Sequence, residues 1–346
     1  MVEPMPFLEQ EKVEKFRELL QHTQQIAIAV HVNPDGDAVG TSLALAHCLK
    51  AIGKEVSVIA PNPFPDFLLW LDGAKDILIY KHEHAQVKKV LSTTDLVICA
   101  DFNSLSRLDD LGKIIAESAI PCVLIDHHLK PAEEEFEICF SKVKACSSAE
   151  VLYNLIKQIG FLPHLSATAA ESVYAGMMTD TNNFLNNCDR PEMFRTVAEL
   201  LELGVNKEKV HEAVYNNYSE SRMRLLGYAL EQKMVVLPEY RTAYIVLSRK
   251  ELEQFNFQAG DTEGFVNFPL SIKNIVFSGF ISENPDNVRL SFRSRGTFSV
   301  NDFARNHFEG GGHLNAAGGN STMSLDDTVT YFVESLKKYK DELDLV

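Results

Sequence analysis

No segment of this 346-residue chain stays apolar for long. The strongest apolar runs, Gln25–Val30 and Asp95–Ala100, fall far short of the roughly 20 residues that a bilayer-crossing helix needs, so no membrane partner is expected. The opening Met1-Val-Glu-Pro-Met-Pro lacks the basic region, apolar core and small-residue cleavage site of an export signal, and the chain reads as cytoplasmic. Crosslink spacing is missing too. Cys48, Cys99, Cys122, Cys139, Cys146 and Cys188 include no C-x-x-C pair and mostly sit in apolar runs, where cysteine behaves as a small hydrophobe; buried free thiols are expected. Positive charge is scarce, with 33 Lys and Arg against 48 Asp and Glu, a formal charge of −15. Such a surface repels long nucleic acid and excludes duplex DNA as a partner. A small phosphorylated ligand stays compatible, because it needs only a local basic pocket, and a bound metal adds positive charge that the count omits.

What the chain does have is enough apolar sequence, 45% of its residues, for two packed domains. From residue 25 to 180, short β-branched runs alternate with segments of helical period, the pattern of an α/β domain with a mainly parallel sheet. The strands are expected at Gln25–Val32, Glu55–Ala60, Ile77–Tyr80, Asp95–Ala100, Cys122–Ile125 and Phe136–Phe140. A helix from about Ala38 to Ile52 should stop at Gly53, and Ser147-Ser-Ala-Glu150 reads as a capping box opening another. Residues 191 to about 230 read as two or three amphipathic helices, one starting at Pro191 and ending before Gly204. Beyond them, strands at Met234–Leu237, Ala243–Leu247, Asn274–Ile281 and Val288–Arg293, a Gly-rich run and a helix from Ser324 describe a smaller α/β domain.

Charged groups punctuate the first sheet. The first strand runs into His31-Val-Asn-Pro-Asp35-Gly-Asp37, the fourth into Asp101 and the fifth into Asp126-His127-His128, while Asp180 follows a helix expected over Ala169–Met178. The carboxyl ends of parallel strands form the crevice where such sheets bind ligands, so these groups converge. Asp37 alone would read as a helix cap and Asp180 alone as a surface acid. Three strand ends carrying acids and imidazoles together are poorly explained as caps. Carboxylates mixed with imidazoles suit a hard-to-borderline ion, Mn²⁺ first and Mg²⁺ or Co²⁺ next, whereas structural zinc would draw on cysteine. Two such ions about 3.5–4 Å apart, sharing a carboxylate, clamp the oxygens of a phosphoryl displacement.

These motifs resemble those of the DHH phosphoesterases. The resemblance implies that His31, Asp35 and Asp101 hold one metal and that Asp37, Asp101, His127 and Asp180 hold the other, with Asp101 bridging. It also implies that His128 faces the substrate, with Asp126 beside a ligating imidazole to fix its tautomer. Gly310-Gly311-Gly312-His313-Leu-Asn315-Ala-Ala-Gly-Gly319 resembles the signature of the DHHA1 substrate domain. The segments around Asn267 and around Arg293 and Arg295 resemble the oligoribonuclease and 3′-phosphoadenosine 5′-phosphate (pAp) phosphatase branch, called NrnA-like. Arg289, Arg293 and Arg295 share one face if their segment stays extended, and the Gly-rich run offers backbone N–H groups to phosphate. Phe292 and Phe298 read as packing residues.

The resemblance thus implies a DHH catalytic domain over 1–190, a helical linker over 191–230 and a DHHA1 substrate-binding domain over 231–346, with the active site in the cleft between them. The implied reaction is a metal-activated hydroxide attack on phosphorus in short single-stranded RNA or a small nucleotide. A cyclic-dinucleotide phosphodiesterase and an inorganic pyrophosphatase are the enzyme alternatives; the lysine-rich motif of the latter is missing after residue 230. A non-catalytic nucleotide-binding regulator would not need the bridging acid or the second histidine. Oligomeric state is left open, a homodimer included.

Overall fold

The β-branched runs of the first half form one parallel sheet. In the computed structural model, which describes residues 7–258 and 260–346, its strands are β1 (Gln25–Val30), β2 (Glu55–Ala60), β3 (Leu78–Ile79), β4 (Leu96–Ala100), β5 (Cys122–Asp126) and β6 (Ile138–Ser141). Their order is β3-β2-β1-β4-β5-β6. Both faces are buried, which is why the strands are continuously apolar rather than alternating. Ile26, Ile28, Val30, Ile98 and Val123 pack on one side with Phe16, Leu43, Leu152 and Val173. Those partners come from α1 (Gln10–His22), α2 (Gly36–Ala51), α5 (Ser148–Gln158) and α6 (Ala167–Asp180). Ala27, Ala29, Val97, Cys99 and Leu124 pack on the other with Val87, Leu111 and Ile115, from α3 (His84–Leu91) and α4 (Asp110–Glu117). All six cysteines are buried and free.

The strand order reverses between β1 and β4, the switch point where open α/β sheets leave a crevice at the carboxyl ends of their strands. Two helices are pressed together above it. A Cβ on Gly40 of α2 would come within 2.4 Å of the Ser172 carbonyl oxygen of α6, and one on Gly176 within 2.8 Å of an Asp37 carboxylate oxygen. Only glycine permits that approach, and it brings the end of α6 beside the start of α2.

The chain divides into two units, Met1–Asn217 and Tyr218–Val346. The helical stretch from 191 falls on both sides of that division: α7 (Pro191–Glu202) and α8 (Lys207–Tyr215) belong to the first, α9 (Glu220–Gln232) to the second. The second unit is built on a mixed sheet of β7 (Met234–Leu237), β8 (Thr242–Leu247), β9 (Phe277–Glu283), β10 (Val288–Ser294), β11 (Gly311–Gly312) and β12 (Ala316–Ser321). Its order is β11-β12-β10-β9-β8-β7, with β8 and β9 parallel and the other pairs antiparallel. One face carries α9 and α10 (Arg249–Gln254), the other α11 (Val300–His307) and α12 (Leu325–Leu336). Phe292 and Phe298 are core residues of the latter side, as their sequence setting indicates.

Several local expectations are corrected. β9 begins at Phe277 rather than Asn274, because Asn274 adopts a left-handed conformation (φ 70°) that ends extended pairing. α2 starts at Gly36, capped by Asp35, whose carboxylate accepts from the Asp37 and Ala38 N–H groups; Asp37 is therefore not the cap. The box at Ser147 is half formed. The Ser147 hydroxyl accepts from Glu150 N–H, but the Glu150 carboxylate reaches past it to Cys146 N–H and to Arg190. β10 stops at Ser294, so Arg289 and Arg293 share its outer face while Arg295, whose N–H donates to the Val276 carbonyl, lies beyond the strand.

Candidate metal centre

The strand ends deliver the charged residues to one place. His31 follows β1, Asp101 follows β4, Asp126 closes β5 with His127 and His128 just beyond, and Asp180 is the last residue of α6. Asp101 sits in the left-handed region (φ 67°), a cost a non-glycine residue bears where its surroundings fix it. Asp35 is also held, by its capping bonds.

Two sets of donors share Asp101. Single ligand atoms from His31, Asp35 and Asp101 lie within 4.8 Å of one another, as do those from Asp37, Asp101 and His127. The Asp101 carboxylate faces both ways, with Oδ2 3.6 Å from His31 Nε2 and Oδ1 3.7 Å from His127 Nε2. His127 Nε2 is also 3.4 Å from Asp180 Oδ2 and 3.9 Å from Asp37 Oδ2. These gaps, most of them beyond hydrogen-bond range, are what converging lone pairs leave. The other imidazole nitrogens fix the tautomers: His31 Nδ1 lies 2.9 Å from the Val32 carbonyl oxygen and His127 Nδ1 3.3 Å from that of Ala145, so each Nδ1–H donates and each Nε2 is left as an acceptor.

Asp126 behaves differently. One of its oxygens accepts from His128 Nδ1–H at 2.7 Å and the other from His128 N–H at 3.0 Å. The carboxylate therefore orients His128, not the neighbouring His127 that sequence reasoning paired it with. His128 keeps some exposure, its side chain 19% accessible.

The electrostatics are those of a cluster without a counter-charge. Among the described residues no lysine or arginine pairs with Asp35, Asp37, Asp101, Asp126 or Asp180. Burial pushes the Asp101 carboxyl well above the usual range, and the charges of Asp37, Asp35, Asp180 and Asp126 push the same way. Desolvation lifts Asp180 to about 7 despite the nearby His127, and burial raises Asp37 even though the Ser148 and Ala149 N–H groups favour its anion. Burial lowers His31. Burial would lower His127 as well, but Asp180, Asp37 and Asp126 outweigh it and raise that imidazole. Asp126 is the exception among the acids: the hydrogen bond and charge of His128 overcome burial and hold it low. Crowded oxygen and imidazole donors, no thiol, and carboxylates strained toward protonation are what a divalent cation would relieve. The residues present therefore fit the implied ions.

Sequence reasoning missed the floor of the site. The start of α5 supplies Ser148 N–H (2.6 Å) and Ala149 N–H (3.0 Å) to the two oxygens of Asp37, and Thr41 Oγ1 adds a third donor at 3.2 Å. The Ser148 hydroxyl donates to Asp101 Oδ1 at 2.7 Å. The signal was present in the second serine of Ser147-Ser-Ala-Glu150, read only as part of a cap.

In the second unit the expected phosphate cradle is largely spent on its own fold. Gly312 N–H donates to Asn301 Oδ1, His313 N–H to the Ala316 carbonyl, and the Asn315 amide to Ser294 Oγ and the Gly296 carbonyl. Gly311 lies in β11, paired with β12. Arg293 donates to the Phe292 carbonyl, Arg295 is exposed, and Asn267 lies in a short 3₁₀ segment, Phe265–Ser271.

Comparison with known proteins adds the following. The family model described as DHH family, N-terminal domain, matches residues 25–177, and that of the DHHA1 domain matches residues 240–341. The bifunctional oligoribonuclease and PAP phosphatase NrnA of Thermus thermophilus is 28% identical over 331 residues, 95% of this chain and 94% of that one. The Bacillus subtilis protein of the same name is 28% identical over 304 residues, 86% of this chain and 89% of its own. The crystal structure of an exopolyphosphatase-related protein from Bacteroides fragilis matches with a TM-score of 0.94 and 41% identity, over 99% of this chain and 100% of that one. RecJ of Thermus thermophilus in complex with Mn²⁺ matches at 0.55 with 12% identity, over 98% of this chain and 56% of that one, a likeness of fold.

Proposed function

The chain belongs to the DHH family, a DHH domain followed by a DHHA1 domain, and on that premise we propose that it is a phosphoesterase hydrolysing short oligoribonucleotides and pAp with two divalent ions. The observation that carries this reading is the single Asp101 carboxylate turned toward two donor sets at once. His31, Asp35 and Asp101 would hold one ion, and Asp37, Asp101, His127 and Asp180 the other. Divalent ions there supply Lewis acidity at phosphorus oxygens and a lowered pKa for water. Mn²⁺ is the ion named with the RecJ structure and suits the mixed oxygen and imidazole set better than zinc. The substrate reading follows the names of the Thermus and Bacillus relatives.

The chain's own groups do the rest. Asp126 holds the His128 ring by Nδ1–H, and His128 is the group we assign to carry a proton to the departing alcohol oxygen. The low-lying Asp126 carboxyl stays ionised and so keeps accepting from His128 Nδ1–H, which fixes the ring. Asn267, Arg293, Arg295 and His313 are the second-unit side chains we assign to groups flanking the scissile phosphate; Gly311, Gly312 and Asn315 shape the turn that carries His313.

The test is a series of oligoribonucleotides from two to about twenty-four residues at fixed Mn²⁺ and salt, run on wild type and Arg295→Ala. Activity should peak at two to about five nucleotides, since a pocket rather than a groove binds them and the −15 surface repels every phosphate outside it. Arg295→Ala should raise KM for dinucleotides and spare bis-p-nitrophenyl phosphate, which has no flanking phosphate to hold. Faster digestion of the longest strands would defeat the short-substrate reading.

A further inference from the structure

Ser148 is wholly buried and uses both of its donors on the acidic cluster. Its backbone N–H holds Asp37 Oδ2 at 2.6 Å, and its hydroxyl holds Asp101 Oδ1 at 2.7 Å. That oxygen is the one turned toward His127, while Asp101 Oδ2 is turned toward His31. Asp101 has reason to turn away, because Asp37 Oδ2 and Asp180 Oδ2 approach the same His127 Nε2, at 3.9 and 3.4 Å, so like charges converge on the side that Oδ1 faces. We propose that Ser148 is a positioning residue: its hydroxyl pins the shared carboxylate against that repulsion and so sets the affinity of the set formed by Asp37, Asp101, His127 and Asp180 for its divalent ion. This rests on the two-ion reading above. The hydroxyl acts on the oxygen that serves one set, so its loss should fall on the two sets unequally. The backbone bond to Asp37 survives any side-chain change, so the hydroxyl can be tested by itself.

The test is a calorimetric titration of the full, metal-free chain with MnCl₂, without substrate, on wild type, Ser148→Ala and Ser148→Cys, together with metal-free thermal midpoints. Wild type should bind two ions. Ser148→Ala should weaken one site by about 10–100-fold, the usual cost of losing an outer partner of a ligand, and leave the other little changed. Ser148→Cys, which keeps a weaker donor of similar shape, should fall between. In a His31→Ala background, which leaves the second set alone, the Ser148→Ala loss should persist. A merely structural role would lower the metal-free midpoint and weaken both sites alike, and that result would overturn the proposal. Two sites of unchanged affinity in Ser148→Ala would overturn it as well. A wild-type protein taking up no Mn²⁺ would instead bring down the two-ion reading, and this assignment with it.

Discussion

In the first unit, five aspartates and three histidines crowd the ends of β1, β4, β5 and α6, with most of the carboxyls lifted by burial and, among the described residues, no lysine or arginine paired with them. In the second, the polar groups of the motif region find partners inside the unit. Asn301 takes Gly312 N–H, Asn315 bridges Ser294 and Gly296, and the core beneath is a set of packed rings in which Phe292 and Phe332 stack at 5.9 Å. The first unit spends stability on a charge arrangement that only a cation completes; the second keeps its polar groups satisfied and draws stability from aromatic packing. Chemistry should therefore be lost by changes in the first that leave the fold intact, and stability by changes in the second that leave metal binding intact.

The hardest test of that contrast is Asp101→Asn. Turnover should fall by more than about 10³-fold, several kcal/mol of lost charge stabilisation, while the metal-free thermal midpoint holds or rises. The sign follows from the raised carboxyl: an acid whose folded pKa lies above its unfolded value destabilises the fold once the pH exceeds the unfolded value, and an amide removes that penalty. A clear fall in the metal-free midpoint would erase the contrast. Next, His128→Ala should lower turnover by about 10²–10⁴-fold with bound Mn²⁺ nearly unchanged, while His127→Ala should lose metal; equal metal content in the two would show that the adjacent histidines do not divide the work. In the second unit, Phe292→Ala should cost about 3–5 kcal/mol in denaturant unfolding without changing the number of Mn²⁺ bound. The smallest effect belongs to Glu251, which Lys233, Tyr228 and Ser248 hold down to about 2 against the cost of burial. A lowered carboxyl contributes stability that is present above about 4.5 and lost as the pH falls toward about 2. The gap between wild type and Glu251→Gln, about 1–3 kcal/mol at pH 7, should shrink over that window; a gap independent of pH would mean that packing rather than charge sets it.

Much of this was legible in the residues because the signals were local. β-branched runs marked the strands, glycine and proline marked helix ends, and acids placed after apolar strands marked the crevice of the first sheet. What was not legible depends on partners far along the chain. Taken alone, Asp37 could not be told from a cap, because its hydrogen-bond partners Ser148 and Ala149 lie more than a hundred positions later. Asp126 was assigned to the wrong histidine because adjacency in sequence does not say which ring turns toward it. Arg295 was put on the face of Arg289 and Arg293 only on condition that the segment stayed extended, and β10 ends one residue before it; Gly312 N–H was offered to phosphate although Asn301, eleven residues before it, already accepts it.

The strand order has a kinetic consequence. β1 pairs with β4, about seventy residues away, and the cluster also needs β5 and the far end of α6. Loop closures of that length precede any gain from the ligands they assemble, and non-local parallel pairing is slow. During synthesis the chain must be extruded beyond Asp180 before both donor sets exist. A divalent ion held there would therefore not template this unit as zinc templates a finger; it would arrive late, and its capture would report that the long-range assembly is finished.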